Sequence, residues 1–240
     1  MSWEDYTPQI LSDSIGFFGD TMRYQREIGG LYGQFAAPAS GETPQQLVIL
    51  LHGWGADGAD LIDLAQPLGQ FLPKAAFFTP DAPHPCSANP LGREWFDLTD
   101  RSKMNQNALA ATNAVHTVLD AASSELEIQH AQILLGGFSQ GGMMSLLGGL
   151  SYHSALAGIV SIAGAVLAED AIPDAADRAT PVLMIHGDAD VVVPFQALDI
   201  GLTILNSKGY KTERLSCSGV GHGISPEAVQ DIGRFAAACL

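Results

Sequence analysis

The chain has 240 residues, 47% of them hydrophobic and 15% charged, which is enough apolar material for one large folded unit with a sizeable core. Its formal net charge is −15, and its eleven lysines and arginines are scattered rather than clustered. Phosphate backbones and anionic surfaces repel such a chain, which excludes nucleic acid as an expected partner and argues against stable membrane association.

The N-terminus, Met1-Ser2-Trp3-Glu4-Asp5, lacks the basic start and apolar stretch of a signal peptide. The three cysteines (Cys86, Cys217 and Cys239) form no CxxC pair and cannot all pair within the chain. Both features favour a reducing, cytoplasmic setting. Residues 1–28 are irregular and mixed in character and read as an N-terminal leader of uncertain structure, either flexible or packed on the domain, with one domain expected over 29–240. Residues 31–37 are a candidate first strand. Gln46 to Leu51 (QLVILL) is β-branched-rich and reads as a strand buried on both faces. Residues 60–71 have apolar positions near helical spacing, and 75–79 form a short strand stopped by Pro80. Residues 106–126 predict a long helix, and 133–136 a strand. A helix is predicted over 143–150 and strands over 158–163 and 181–186. A helix over 195–207, a strand over 212–216 and a closing helix over 226–238 complete the pattern. The most apolar stretch, 155–168, is interrupted by Gly158, Ser161 and Gly164 and is shorter than the roughly 20 residues of a membrane span. Strand–helix alternation predicts an α/β fold: a mostly parallel central sheet with helices on both faces and chemistry at the carboxyl ends of the strands.

Gly137-Phe138-Ser139-Gln140-Gly141 is a G-x-S-x-G sequence between a predicted strand and a predicted helix. In that context the pattern is a nucleophile elbow, a turn so tight that side chains two residues either side of the serine would collide. Alone the motif occurs by chance, as a glycine-rich turn with a serine cap. The strand before it and the helix after it favour the nucleophile. A serine hydroxyl needs a base to take its proton, and in this arrangement the partners follow in the order Ser, Asp, His. His222 lies among glycines after the last predicted strand, and no histidine follows it. Asp188 and Asp190 compete as the acid. Asp188 directly follows a strand exit and suits pinning the loop, whereas Asp190 is farther out, where it can reach the far nitrogen of His222. His52 and His186 precede glycines at strand exits and suit loop hydrogen bonds. His84, His116, His130 and His153 carry no motif. The glycine-rich stretch 52–58 follows a central strand, where the fold draws an oxyanion N–H. The backbone N–H groups of Trp54 and Gln140 are the expected donors. No HxH or HExxH cluster supports metal-dependent hydrolysis.

With these residues in place, the chain resembles the phospholipase/carboxylesterase family, which includes acyl-protein thioesterases and small bacterial carboxylesterases. The matching segments are LHGWGADG at 51–58, WFDL at 95–98, GFSQGG at 137–142, HGDADVVVP at 186–194 and GVGHGIS at 219–225. The resemblance spans about residues 45–240 and omits the leader. It implies an α/β-hydrolase fold without a large cap domain, no cofactor, Ser139, Asp190 and His222 as triad, and Trp54 and Gln140 at the oxyanion hole. Acyl-protein thioesterases resemble LHGLGD at the oxyanion loop; Trp54 and the extra Ala56 here are closer to the bacterial carboxylesterases.

The expected activity is hydrolysis of short- to medium-chain carboxylic esters or thioesters, with a small-molecule ester as partner. A lysophospholipase or acyl-protein thioesterase is the alternative, and a noncatalytic binding protein of the same fold a remote one. Residues 83–97 form a long proline-rich loop read as a pocket wall, so that Trp54, Leu91, Trp95 and Phe138 are the candidate substrate contacts. Arg93 reads as an exposed salt bridge, with binding of a carboxylate or head group as the alternative. A homodimer is expected on base rates alone.

Overall fold

The computed structural model describes residues 16–18, 21–175 and 180–240. Its frame is a nine-stranded sheet. The first strands are β1 (Gly16–Phe18), β2 (Thr21–Ile28), β3 (Leu31–Ala36), β4 (Gln46–Leu51) and β5 (Ala75–Pro80). A two-stranded hairpin, β6 (His84–Pro85) with β7 (Arg93–Glu94), lies in the long connection that follows. The sheet resumes with β8 (Ile133–Phe138), β9 (Gly158–Ile162), β10 (Val182–Gly187) and β11 (Thr212–Cys217). The order across the sheet is β1-β2-β3-β5-β4-β8-β9-β10-β11. Strands β1, β2, β3 and β5 pair antiparallel, whereas pairing from β5 through β4 to β11 is parallel throughout.

The period-two alternation of the strands splits the core in two. On β4, Leu47, Ile49 and Leu51 face one side and Val48 and Leu50 the other; on β8, Ile133 and Leu135 oppose Leu134. The first face is covered by α2 (Met104–Leu126), α3 (Gln140–Leu150) and α4 (Gln196–Ser207). The second is covered by α1 (Ala65–Gly69) and α5 (Pro226–Cys239). A parallel sheet covered on both faces explains why its central strands are unbroken apolar runs. Among the described residues no helix is long and apolar enough to cross a membrane.

Two expectations need correction. The boundary at residue 29 is wrong, because β2 pairs along its length with β3 and carries Ile28 into the core. Strand β2 is polar on its outer face (Gln25 and Glu27 are exposed), so it lacks the continuous apolar signature of the inner strands. Leader residues 1–15 and 19–20 lie outside the described residues. The helical pattern at 60–71 is not one helix but 3-10 turns at Gly58–Asp60 and Ile62–Leu64 followed by the short α1. Pro67 lies inside α1 and supplies no N–H to extend the ladder.

Candidate active site

Ser139 stands between β8 and α3 with φ +54° and ψ −117°. That conformation costs a non-glycine residue on the order of 1–3 kcal/mol and persists only where its surroundings over-determine it. Here the Ser139 N–H donates to the Ile162 carbonyl at 2.8 Å, and its own carbonyl accepts from Met143 N–H at 3.0 Å. A Cβ at position 137 would overlap the Gly141 carbonyl, and one at 141 would overlap the Leu51 carbonyl. Both glycines of the motif are thus demanded by backbone contact, each with a different neighbour.

His222, in the loop after β11, places Nε2 2.9 Å from Ser139 Oγ and Nδ1 2.7 Å from Asp190 Oδ2. A carboxylate only accepts, so the ring proton sits on Nδ1 and Nε2 is free to accept from the serine. The Asp190 side chain is wholly buried. Its Oδ1 accepts the N–H groups of Val192 at 2.8 Å and Val193 at 3.0 Å. Burial alone would push this carboxyl up; the His222 hydrogen bond and the two N–H groups outweigh it and hold the carboxyl below its ordinary value. Asp188, two residues earlier, is exposed and accepts from Gly219 N–H at 2.6 Å, tying down the loop that carries His222. His186 is buried, with Nε2 3.0 Å from the Val193 carbonyl and 3.3 Å from Asp190 Oδ2. It steadies the acid as well as the loop, a contact the sequence did not reveal.

The stretch 52–58 folds against the elbow: a Cβ at Gly53 would lie 3.4 Å from Ser139 Cβ. His52 is buried, donating from Nδ1 to the Gly53 carbonyl at 2.7 Å and accepting Ala82 N–H on Nε2 at 3.0 Å. Burial pushes its pKa down, which keeps this neutral tautomer. Asp57 caps the following 3-10 turn through Ala59 N–H. Gly55 N–H donates to the Arg93 carbonyl at 2.9 Å and Arg93 N–H to the Ala56 carbonyl at 2.8 Å, so β7 braces this loop. Trp54 Nε1 donates to Glu94 Oε2 at 2.6 Å, and that buried carboxylate also takes Ser87 N–H at 3.2 Å and Ser87 O–H at 3.0 Å. Among the described residues neither Trp54 N–H nor Gln140 N–H has an acceptor. Gln140 follows the serine directly and Trp54 follows Gly53, which packs on it, so N–H groups without partners at these two positions suit a developing oxyanion.

The expected substrate contacts separate. Trp54 keeps 37% of its surface and Leu91 92%, and the partly buried Phe138 ring packs 4.9 Å from the His222 ring. Trp95 does not join them. It is fully buried in the core, Nε1 donating to the His52 carbonyl at 3.0 Å, and has no surface left for a ligand. Its N–H donates to Gln140 Oε1 at 2.9 Å, while Gln140 Nε2 donates to the Phe96 carbonyl at 2.6 Å. The Gln140 side chain, unremarked in the sequence, therefore ties the 83–97 loop to the elbow. Among the described residues Arg93 has no salt-bridge partner; it donates to the Ala82 and Pro83 carbonyls at 2.7 and 2.8 Å.

The profile of the phospholipase/carboxylesterase family matches residues 33–240. The chain belongs to the phospholipase/carboxylesterase family. It is an α/β-hydrolase-fold serine hydrolase. Among relatives of this family member, acyl-protein thioesterase 1 of Gibberella zeae is 30% identical, over 78% of this chain and 88% of that one. A probable carboxylesterase of Oryza sativa subsp. japonica is also 30% identical, over 81% and 77%. The crystal structure of esterase PE8 superposes with a TM-score of 0.80 at 35% identity, covering 87% of this chain and 98% of its own.

Proposed function

We propose that the protein is a carboxylesterase acting on short- to medium-chain carboxylic esters or thioesters through an acyl-enzyme. The observation that carries this reading is the unbroken run from Ser139 Oγ through His222 to buried Asp190, beside two unpartnered N–H groups. His222 Nε2 takes the Ser139 proton as Oγ attacks the carbonyl carbon. The Trp54 and Gln140 N–H groups bind the oxyanion, and Asp190 stabilises the imidazolium. His222 then protonates the departing alcohol or thiol. Water, deprotonated by the same ring, hydrolyses the acyl-enzyme and restores Ser139.

The surroundings support an apolar acyl group. Val191 and Val192, next to Asp190 in sequence, are 93% and 63% exposed, and Trp54, in the loop after β4, and Leu91, between β6 and β7, add exposed apolar surface. Solvent-facing apolar side chains without a cap over them suit an open groove and acyl chains of modest length. Acyl-protein thioesterase or lysophospholipase activity is the second reading, and the thioesterase is the one that the names of relatives favour.

A fluorophosphonate probe should label the folded protein once, and Ser139→Ala should abolish both labelling and turnover, the latter by about 10⁶-fold. Absence of labelling in folded wild-type protein sinks the reading. A series of p-nitrophenyl esters of rising chain length, run beside a lysophospholipid and an S-acylated peptide, separates the two substrate classes.

A further inference from the structure

We propose that Asp120, His130 and His153 form a binding site for a divalent transition-metal ion of the zinc class. They come from three segments: the second half of α2, the turn before β8, and the chain just past α3. The site is remote from Ser139, at the opposite end of the 11-residue α3, a helix about 16 Å long.

The side chains already converge. Asp120 Oδ1 lies 3.8 Å from both His130 Nε2 and His153 Nε2, and all three donor atoms fall within 4.8 Å of one another. Zinc bonds of about 2.0–2.2 Å set tetrahedral donors roughly 3.3 Å apart, so closure needs about half an ångström on the two edges from Asp120, and the two histidine nitrogens, within 4.8 Å of each other, need to approach by no more than about 1.5 Å. Asp120 and His153 have exposed side chains (56% and 63%) and can supply it by small rotations. The donor set also discriminates. Two imidazoles and a carboxylate suit zinc and its neighbours, whereas magnesium and calcium prefer oxygen alone.

Tyr152 aims two of the donors. Its side chain is buried, its hydroxyl donates to Asp120, and its oxygen lies 2.8 Å from His130 Nε2. On binding, the single ring proton of His130 passes from Nε2 to Nδ1 by exchange with solvent, and Nε2 exchanges the tyrosine oxygen for the ion. The Tyr152–Asp120 bond remains and orients the ligating carboxylate. His116 is not a donor, because its Nε2 is engaged by the Gly148 carbonyl at 2.9 Å. The chain's net charge of −15 raises the local cation concentration. The ion clamps α2, the turn before β8 and the end of α3, and takes no part in ester cleavage.

The experiment titrates the full chain with ZnCl₂ by calorimetry and competition against a chromophoric chelator, with thermal unfolding alongside. One equivalent is expected to bind and to raise the thermal midpoint; MgCl₂ at the same concentration should do neither. His153→Gln and Asp120→Asn should each weaken zinc binding by roughly 100-fold or more. Both should keep wild-type esterase activity and the metal-free midpoint of the parent, which reports that they fold. No zinc binding up to millimolar concentration overturns the proposal, as does binding that both variants leave unchanged.

Discussion

Asp188 and Asp190 sit two residues apart in one loop and hold different partners. Asp190 is buried against His222, while Asp188 is exposed and grips the His222 loop through Gly219 N–H. Substitution by asparagine should therefore separate them. In Asp190→Asn the amide can offer its NH₂ to Nδ1, which favours a proton on Nε2, the atom that must accept from Ser139. A loss of about 10⁴ in kcat with little change in KM is expected. In Asp188→Asn the amide oxygen still accepts from Gly219, so kcat should fall less than about tenfold, the scale of one weakened hydrogen bond. Steady-state kinetics on one p-nitrophenyl ester decides between them; equal losses in the two variants would contradict this division of labour. The order Ser, Asp, His was readable in the sequence, and place in the loop together with the family resemblance favoured Asp190; the turn itself was not visible. Both belong to the same short polar run, and only the turn after β10 determines which one points inward.

At the scale of elements, the connection from β5 to α2 shows where sequence reasoning stops. An aromatic in a proline-rich loop is equally apolar whether it lines a groove or fills a core. Leu91 stayed outside, whereas Trp95 was drawn under the elbow by bonds to His52 and Gln140. The inner strands and α2 were legible because burial on both faces, or on one helical stripe, leaves a periodic apolar trace. Strand β2 and the broken segment before β5 were not, since one is half solvated and the other is interrupted by Pro67. Gln140 gives this junction a direct test. Gln140→Met keeps the backbone N–H but leaves Trp95 N–H and the Phe96 carbonyl buried without their partner. Each orphaned group costs about 1–3 kcal/mol, so urea unfolding should report a loss of roughly 2–6 kcal/mol. The oxyanion donor survives, and kcat should fall well short of the 10²–10³ that losing such a donor brings. A full donor-sized drop in kcat with unchanged stability would mean that the side chain does not act as the anchor.

For the whole molecule, acid should destabilise the fold before it touches the carboxylates. His52 and His116 both have pKa values lowered by burial from the ordinary 6.5. Below 6.5 the unfolded chain binds protons that the folded chain refuses, so stability falls as pH drops through the window down to the folded-state values. The slope approaches about 1.4 kcal/mol per pH unit for fully buried His52 and is smaller for half-buried His116. Asp190 acts in the same direction lower down. Its carboxyl is held below 3.8, so the stability it contributes is present above that value and is lost as pH falls through its folded-state pKa. The global charge works the other way. A chain at −15 relieves its self-repulsion as it titrates toward its isoelectric point near 4.5. Salt distinguishes the two effects: at about 1 M the Debye length shrinks to roughly 3 Å and long-range repulsion disappears, while the buried histidines remain desolvated. Urea unfolding between pH 7.5 and 5 in high salt should therefore show stability falling with acid, more steeply than at low salt. His116 is the cleaner variant, because it lies away from the elbow. His116→Gln should flatten the high-salt slope by up to one proton, and an unchanged slope would show that His116 is not the group that titrates.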